Sequence, residues 1–258
     1  MKRSAAVLGA TLALFTGSYP YVAEADEVRL AAAWGVRQIL LELGPQFEAE
    51  TGHKIVAMYE TNSALVQQAS AGGYFDVVVA NRPGIERLAR INRVVAGSIA
   101  DIASSVAAVA VRSGTPKPDV STAEALKRAL LAARSISRPP FNSTGTTGNH
   151  ITLVAERLGI AADVNAKAVI GDRVRSPGQV VADGDADLAL HMLQELMAIP
   201  GIEVAGPFPS ELQGSFMFSA GLVLGVENNE AARALIAFLR TPRAAEVISS
   251  KGMVPAVP

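Results

Sequence analysis

Residues 28–82, "VRLAAAWGVRQILLELGPQFEAETGHKIVAMYETNSALVQQASAGGYFDVVVANR", decide the fold class. Three runs within them, "VRLAAAW" (28–34), "KIVAMYE" (54–60) and "FDVVVAN" (75–81), are short and nearly continuously apolar, as strands buried on both faces are. Between the first two, Val36, Leu40, Leu43 and Phe47 recur at helical spacing. Between the next two, Ala64, Leu65, Gln68 and Ala69 mark a helix that ends at Gly72-Gly73. The unit is βαβαβ, whose crossovers are right-handed. Pro45 falls inside the first helix and is expected to kink or split it.

Outward from this unit the alternation continues. "SVAAVAV" (105–111) leads into a second series, with strands at "SIS" (135–137), "AVI" (168–170) and "ADLALHM" (186–192) and helices over 121–132, 147–159 and 177–183. "IEVAGPF" (202–208) and "GLVLGVE" (221–227) read as strands, and helices over 229–239 and 242–250 close the chain. The expected fold is α/β with two lobes, mixed and mostly parallel sheets, and strands that cross between the lobes. Residues 26–108 with 219–258 are assigned to one lobe and 109–218 to the other.

Composition agrees with that scheme. The chain has 258 residues, half of them hydrophobic, enough for one large domain or two lobes. With no cysteine, disulfides, thiolate catalysis and cysteine-based zinc sites are excluded. The net charge of −1 offers no basic field for nucleic acid. Residues 1–25 read as a secretory leader: Lys2 and Arg3, an apolar run from Ala5 to Phe15, then "AEA" ending at Ala25. The run is too short to span a bilayer. Cleavage after Ala25 removes Lys2, Arg3 and Glu24, leaving 21 basic against 23 acidic residues, net −2. A periplasmic or secreted monomer, with no stable membrane insertion, is expected.

In open α/β sheets, ligands lie beyond the carboxyl ends of the strands. The residues there are Trp34-Gly35, Thr61-Asn62-Ser63, Asn81-Arg82-Pro83, Arg138 with Asn142 to Asn149, Asp172 to Ser176, and His191-Met192. Several of these loops enter helices, whose first N–H groups are unsatisfied and carry partial positive charge. Ser63, Ser143, Thr144, Thr146 and Thr147 add hydroxyl donors. Arg82, Arg138, Arg173 and Arg175 add guanidinium forks that match a carboxylate or phosphate. Trp34 is a candidate pocket wall and His191 a strand-end candidate. Plainer roles compete: Thr146 or Thr147 as a helix N-cap, Arg82 as a partner of Glu86 one turn away, and His150 as a solvent-facing helix residue.

"VRLAAAWGVRQILLELGPQFEAETGHKI", "NSALVQQASAGGYFDVVVANRPGIERLA" and "NNEAARALIAFLRTPRAAEVISSKGM" together resemble the periplasmic molybdate-binding proteins and the wider group of bacterial solute-binding proteins of ABC transporters. The resemblance implies two lobes closing on a ligand that is passed to a permease. It places Ser63 on the second ligand loop and Ser143 to Gly148 on the third. The family's first loop is typically "AAAS"; this chain has "AAAW", Ala31 to Trp34. The tyrosine such proteins carry on a later strand falls near His191 or Met192. An indole and arginines at strand ends suit a small organic carboxylate better than an inorganic oxyanion. The expected function is capture of such an anion without catalysis, with no cofactor and no metal. A sensor-kinase receptor and a true molybdate or tungstate binder are the alternatives. An exported enzyme finds no support in H-E-x-x-H, G-x-S-x-G or a Walker lysine, all absent.

Overall fold

The computed structural model describes residues 26–140, 146–170, 175–214, 216–226 and 229–256. The first series is β1 (Glu27–Ala33), α1 (Arg37–Thr51), β2 (Lys54–Glu60), α2 (Asn62–Ser70), β3 (Val77–Asn81), α3 (Arg82–Arg90) and β4 (Ala100–Ser105). The second runs through β5 (Ala107–Arg112), α4 (Ala123–Ala132), β6 (Ile136–Arg138), α5 (Thr146–Arg157), α6 (Ala161–Ala166), β7 (Ala168–Ile170), α7 (Pro177–Ala182), β8 (Leu188–Met192), α8 (Leu193–Met197) and β9 (Ile202–Pro207). The chain then returns through β10 (Phe216–Leu222), α9 (Glu230–Phe238), α10 (Pro242–Ser250) and β11 (Val254–Pro255).

Two sheets result. One has the order β11-β4-β10-β3-β1-β2, the other β7-β6-β8-β5-β9. β1 lies between β2 and β3 and is parallel to both, as the βαβαβ pattern requires. The fold is therefore the expected two-sheet α/β architecture, with more antiparallel pairing than "mostly parallel" implies. Among the described residues β4, β5, β9, β10 and β11 all pair antiparallel, because the chain enters each sheet a second time against the direction of the first strands.

Local chemistry sets the element ends. Thr61, Asn81, Thr122, Ser176, Asn229 and Thr241 each accept a backbone N–H three residues on, at the starts of α2, α3, α4, α7, α9 and α10. Pro177 and Pro242 occupy first helical positions, where the missing N–H has no cost. Gly52 ends α1 in the left-handed conformation, φ 78°. α1 itself runs unbroken through Pro45, contrary to expectation. The proline removes only the bond to Leu41, an exposed position, and the buried stripe Ile39, Leu40, Leu43 and Phe47 holds both halves against the sheet.

Two other boundaries differ from the sequence expectation. "SVAAVAV" is not one strand: Ser105 ends β4 on the first sheet, Ala107 begins β5 on the second, and Val106 joins them. The late strand expected at 221–227 lies at 216–222, because "FMFSAGL" pairs with both β3 and β4 while Leu224 and Gly225 form a turn. One continuous apolar cluster spans both sheets, with smaller clusters beneath α2 and α3 and beneath α7 and α8. Helices thus cover both faces of each sheet, and the strand ends are left to form the site.

Gln213 ties the two sheet-to-sheet passages together. Its amide donates to the carbonyls of Ala107 and Phe208, both at 2.9 Å, and its oxygen accepts from the Ala107 N–H at 3.0 Å. A second amide, Gln194, is 1% exposed. It donates to the Gly35 carbonyl at 2.8 Å and accepts from the Ser105 hydroxyl. No helix among the described residues is long and apolar enough to cross a membrane.

Candidate functional site

The carboxyl ends of β1, β2, β3, β6 and β8 converge on a cavity of about 640 Å³. The first sheet contributes Ala33 to Gly35, Thr61, Asn62, Asn81 to Pro83, and Phe216 to Phe218. The second contributes Pro139, Pro140, Thr146 to Gly148, His191, Met192 and Glu195. β10 takes part through its first residues because it runs antiparallel to β3, with Phe218 opposite Asn81.

The polar groups of the wall gather at helix starts. Asn62 opens α2, and its Oδ1 accepts the Asn81 N–H at 2.8 Å. Asn81 caps α3: its Oδ1 accepts the Gly84 N–H at 2.9 Å. Its Nδ2 donates to Thr146 Oγ1 at 2.9 Å, joining the first sheet's side of the cavity to the start of α5 on the second. Three helices of nine residues or more thus direct their positive ends toward one space.

Arg82 lines the cavity and is held in place from behind. Its Nε binds Glu86 at 2.8 Å and its Nη1 binds Asp101 at 2.6 Å. Both partners hold its proton more tightly. The expected pairing with Glu86 and a place at the cavity therefore coexist. Asp101 also accepts the Ser219 hydroxyl at 2.6 Å. Burial pushes the Asp101 carboxyl up, but the bonds from Ser219 and Arg82 outweigh it and leave the group below the usual value.

Trp34 stands at the cavity, 47% exposed, in the turn that follows β1. Its ring lies 6.2 Å from that of Tyr59, and the Arg37 guanidinium sits 5.4 Å from the indole. Gly35 follows because Phe218 leaves no space there: a β-carbon would meet its ring at 2.4 Å. His191 and Glu195 share the opposite wall, with His191 Nδ1 3.4 Å from Glu195 Oε2.

Of the residues singled out in the sequence, Trp34, Arg82, Thr146, Thr147 and His191 border the cavity. Ser63, Arg138 and Arg175 do not. Ser63 lies in the first turn of α2, half-buried, next to Asn62. Arg138 is buried, donating to Asn165 Oδ1 at 2.7 Å and to the Pro139 carbonyl at 3.1 Å. Burial lowers its pKa. Arg175 bonds Asp185 at 2.6 Å and Asp183 at 3.3 Å. Ser143, Thr144 and Arg173, like the leader, lie outside the described residues. His150 is not solvent-facing: its ring packs edge-on against Phe216, 5.1 Å between centroids, and burial pushes its pKa down.

Asn62 and Asn81 stand among the strand-end residues of the sequence but carry no individual role there, and Glu195 is not among them. The signal for Asn81 was present, an asparagine between a strand and a helix with Pro and Gly in its first turn, which marks a cap.

A family model described as bacterial extracellular solute-binding protein matches residues 28–254. The chain belongs to this family. It is 31% identical over 250 residues to a Pseudomonas protein named aconitate isomerase, with 94% of each chain covered. It is 27% identical over 244 residues to the molybdate-binding protein ModA of Azotobacter vinelandii, covering 93% of this chain and 95% of that one. The solved structure of the Azotobacter vinelandii periplasmic molybdate-binding protein superposes with a TM-score of 0.72 at 20% identity, covering 88% and 98%. That structure shares the two-lobe fold described above. The resemblance to molybdate-binding proteins in the sequence is thus met by both sequence and fold.

Proposed function

We propose that the cavity captures a small organic polycarboxylate, in an extracytoplasmic compartment, and delivers it to an ABC permease. The size and character of the cavity carry the proposal. The cleft of about 640 Å³ falls within the range of organic ligand sites. Its walls include Trp34, Met192, Phe216 and Phe218, which suit a carbon skeleton. The helix starts at Asn62, Asn81 and Thr146, with Arg82, suit carboxylates at the ends of that skeleton. The Pseudomonas relative's name contains such a ligand, the unsaturated tricarboxylate aconitate. Two or three charge-assisted hydrogen bonds at about 1.5–3 kcal/mol each, less ordering and desolvation, support binding of roughly −8 kcal/mol, in the micromolar range.

The two sheets act as the two lobes, 26–108 with 219–258 against 109–218. The chain changes sheet at Val106 and between Pro207 and Phe216, within a few residues of these limits. The lobes close by hinge motion of a monomer. A second use of the cavity, isomerisation of the captured acid, is favoured by the histidine and carboxylate on its wall and by the relative's name. A thermal-shift screen of cis- and trans-aconitate, citrate, malate, molybdate, tungstate and sulfate tests the ligand class. The carboxylates are expected to raise the melting point and the oxyanions to leave it unchanged; the opposite pattern restores molybdate-type binding.

A further inference from the structure

Capture alone leaves two ionisable groups of the cavity unexplained. His191 is the last residue but one of β8, and Glu195 follows in α8. Their side chains are 14% and 27% exposed, and both border the cavity. His191 Nδ1 is buried and makes no hydrogen bond to a described residue, yet lies 3.4 Å from Glu195 Oε2. The other histidines are elsewhere: His53 accepts the Asp26 N–H at the far end of β1, and His150 packs behind Phe216. A carboxylate beside one ring nitrogen is placed to orient the imidazole once a proton sits between them, leaving the second nitrogen to a guest. That is the arrangement of a proton-transfer base rather than of a ligand clamp, for which a neutral donor or an arginine serves better.

We propose that His191 is a catalytic acid–base and Glu195 its positioning residue, and that together they move a double bond along a bound unsaturated polycarboxylate. The inference rests on the carboxylate reading of the cavity. His191 Nε2 takes a proton from the saturated carbon between the double bond and a carboxylate. The released electron pair forms a new double bond to the central carbon, and the old double-bond pair moves to the far carbon, its charge spread into the adjoining carboxylate. The imidazolium then returns a proton to that far carbon. One C–H bond breaks and one forms, the double bond shifts by one position, and nothing is oxidised or reduced. No co-reactant is needed. The positive helix ends at Asn62, Asn81 and Thr146 stabilise the charge that gathers on the carboxylates during the shift. Glu195 acts through His191, orienting the ring from its Nδ1 side.

The test uses the full chain with trans-aconitate in deuterated water, followed by proton NMR, with binding measured separately by calorimetry. The wild-type protein is expected to interconvert the cis and trans isomers and to carry deuterium into the methylene position. His191→Asn is expected to lower kcat by about 100-fold or more while dissociation constants stay within about threefold. Glu195→Gln is expected to lower kcat about tenfold with KM nearly unchanged, a split that a merely structural pair does not produce. His191→Gln replaces His191→Asn if the latter does not fold. Tight binding of aconitate by the wild type with neither isomerisation nor deuterium uptake overturns the catalytic proposal and leaves capture standing. Full activity in both His191 variants overturns the assignment of the base. Failure to bind any polycarboxylate overturns the capture reading and this proposal with it.

Discussion

Asp76 shows how a single charge is carried inside this fold. It is 1% exposed, at the edge of β3, and bound by Arg29 through Nε and Nη2 at 2.8 and 2.5 Å, with the Arg29 N–H a third donor at 2.8 Å. The Tyr74 ring covers the guanidinium at 3.3 Å. Burial pushes the Asp76 carboxyl up, and the three bonds from Arg29 more than offset it, so its pKa lies below the ordinary 3.8. A carboxyl depressed in the folded chain adds stability that is present above its unfolded value. That stability is lost as the pH falls from 3.8 through the folded value. Asp76→Asn is expected to cost about 2–4 kcal/mol at neutral pH, since it leaves a partly buried guanidinium uncompensated. Chemical denaturation at pH 7 and below pH 4 checks both statements: the gap between wild type and variant should narrow in acid. A constant gap over that range contradicts the assignment.

Elements matter to the site chiefly through their ends. Asn81 is the cap of α3, the acceptor–donor link to Asn62 and the bond to Thr146 on the other side of the cavity. Asn81→Ala is expected to lower stability by about 1–2 kcal/mol, a usual cap loss, and to weaken ligand binding as well. Asn229→Ala, a cap far from the cavity, should show the first effect without the second, which thermal melts and titrations of both variants will decide. The β-α-β-α-β unit was legible because burial on both faces writes continuous apolar runs. The leading strand pair of the passage, β4 and β5, was not, because "SVAAVAV" is apolar on both sides of the point where the chain changes sheet. Pro45 misled for a related reason: local propensity gave way to a buried stripe. Trp34, Arg82, Thr146, Thr147 and His191 could be found because strand ends fix where a cavity forms. Arg138 and Arg175 could not be told apart from cavity residues, since their partners Asn165 and Asp185 come from segments whose proximity only the tertiary fold creates. Glu195 lies in α8, a helix too short to write a periodic signal.

The proposed closure of one sheet on the other would turn on the contacts at the passages between them. Gln194 bridges the Gly35 carbonyl and the Ser105 hydroxyl from within the second sheet's side, with almost no exposure. Gln194→Ala removes both contacts and leaves a buried carbonyl with one donor fewer. It is expected to shift the free protein toward a more open form and to weaken ligand binding about tenfold or more, since closing then costs more free energy. Small-angle scattering with and without ligand will show this as a larger radius of gyration in the free variant and a larger decrease on binding. An unchanged radius in both states contradicts a role in closure. The ligand class itself is decided most directly by calorimetric titration of the purified chain with trans-aconitate and with molybdate under the same conditions. Saturable, roughly micromolar binding of the tricarboxylate and none of molybdate is the expected result. Tight molybdate binding with no heat from any polycarboxylate contradicts it.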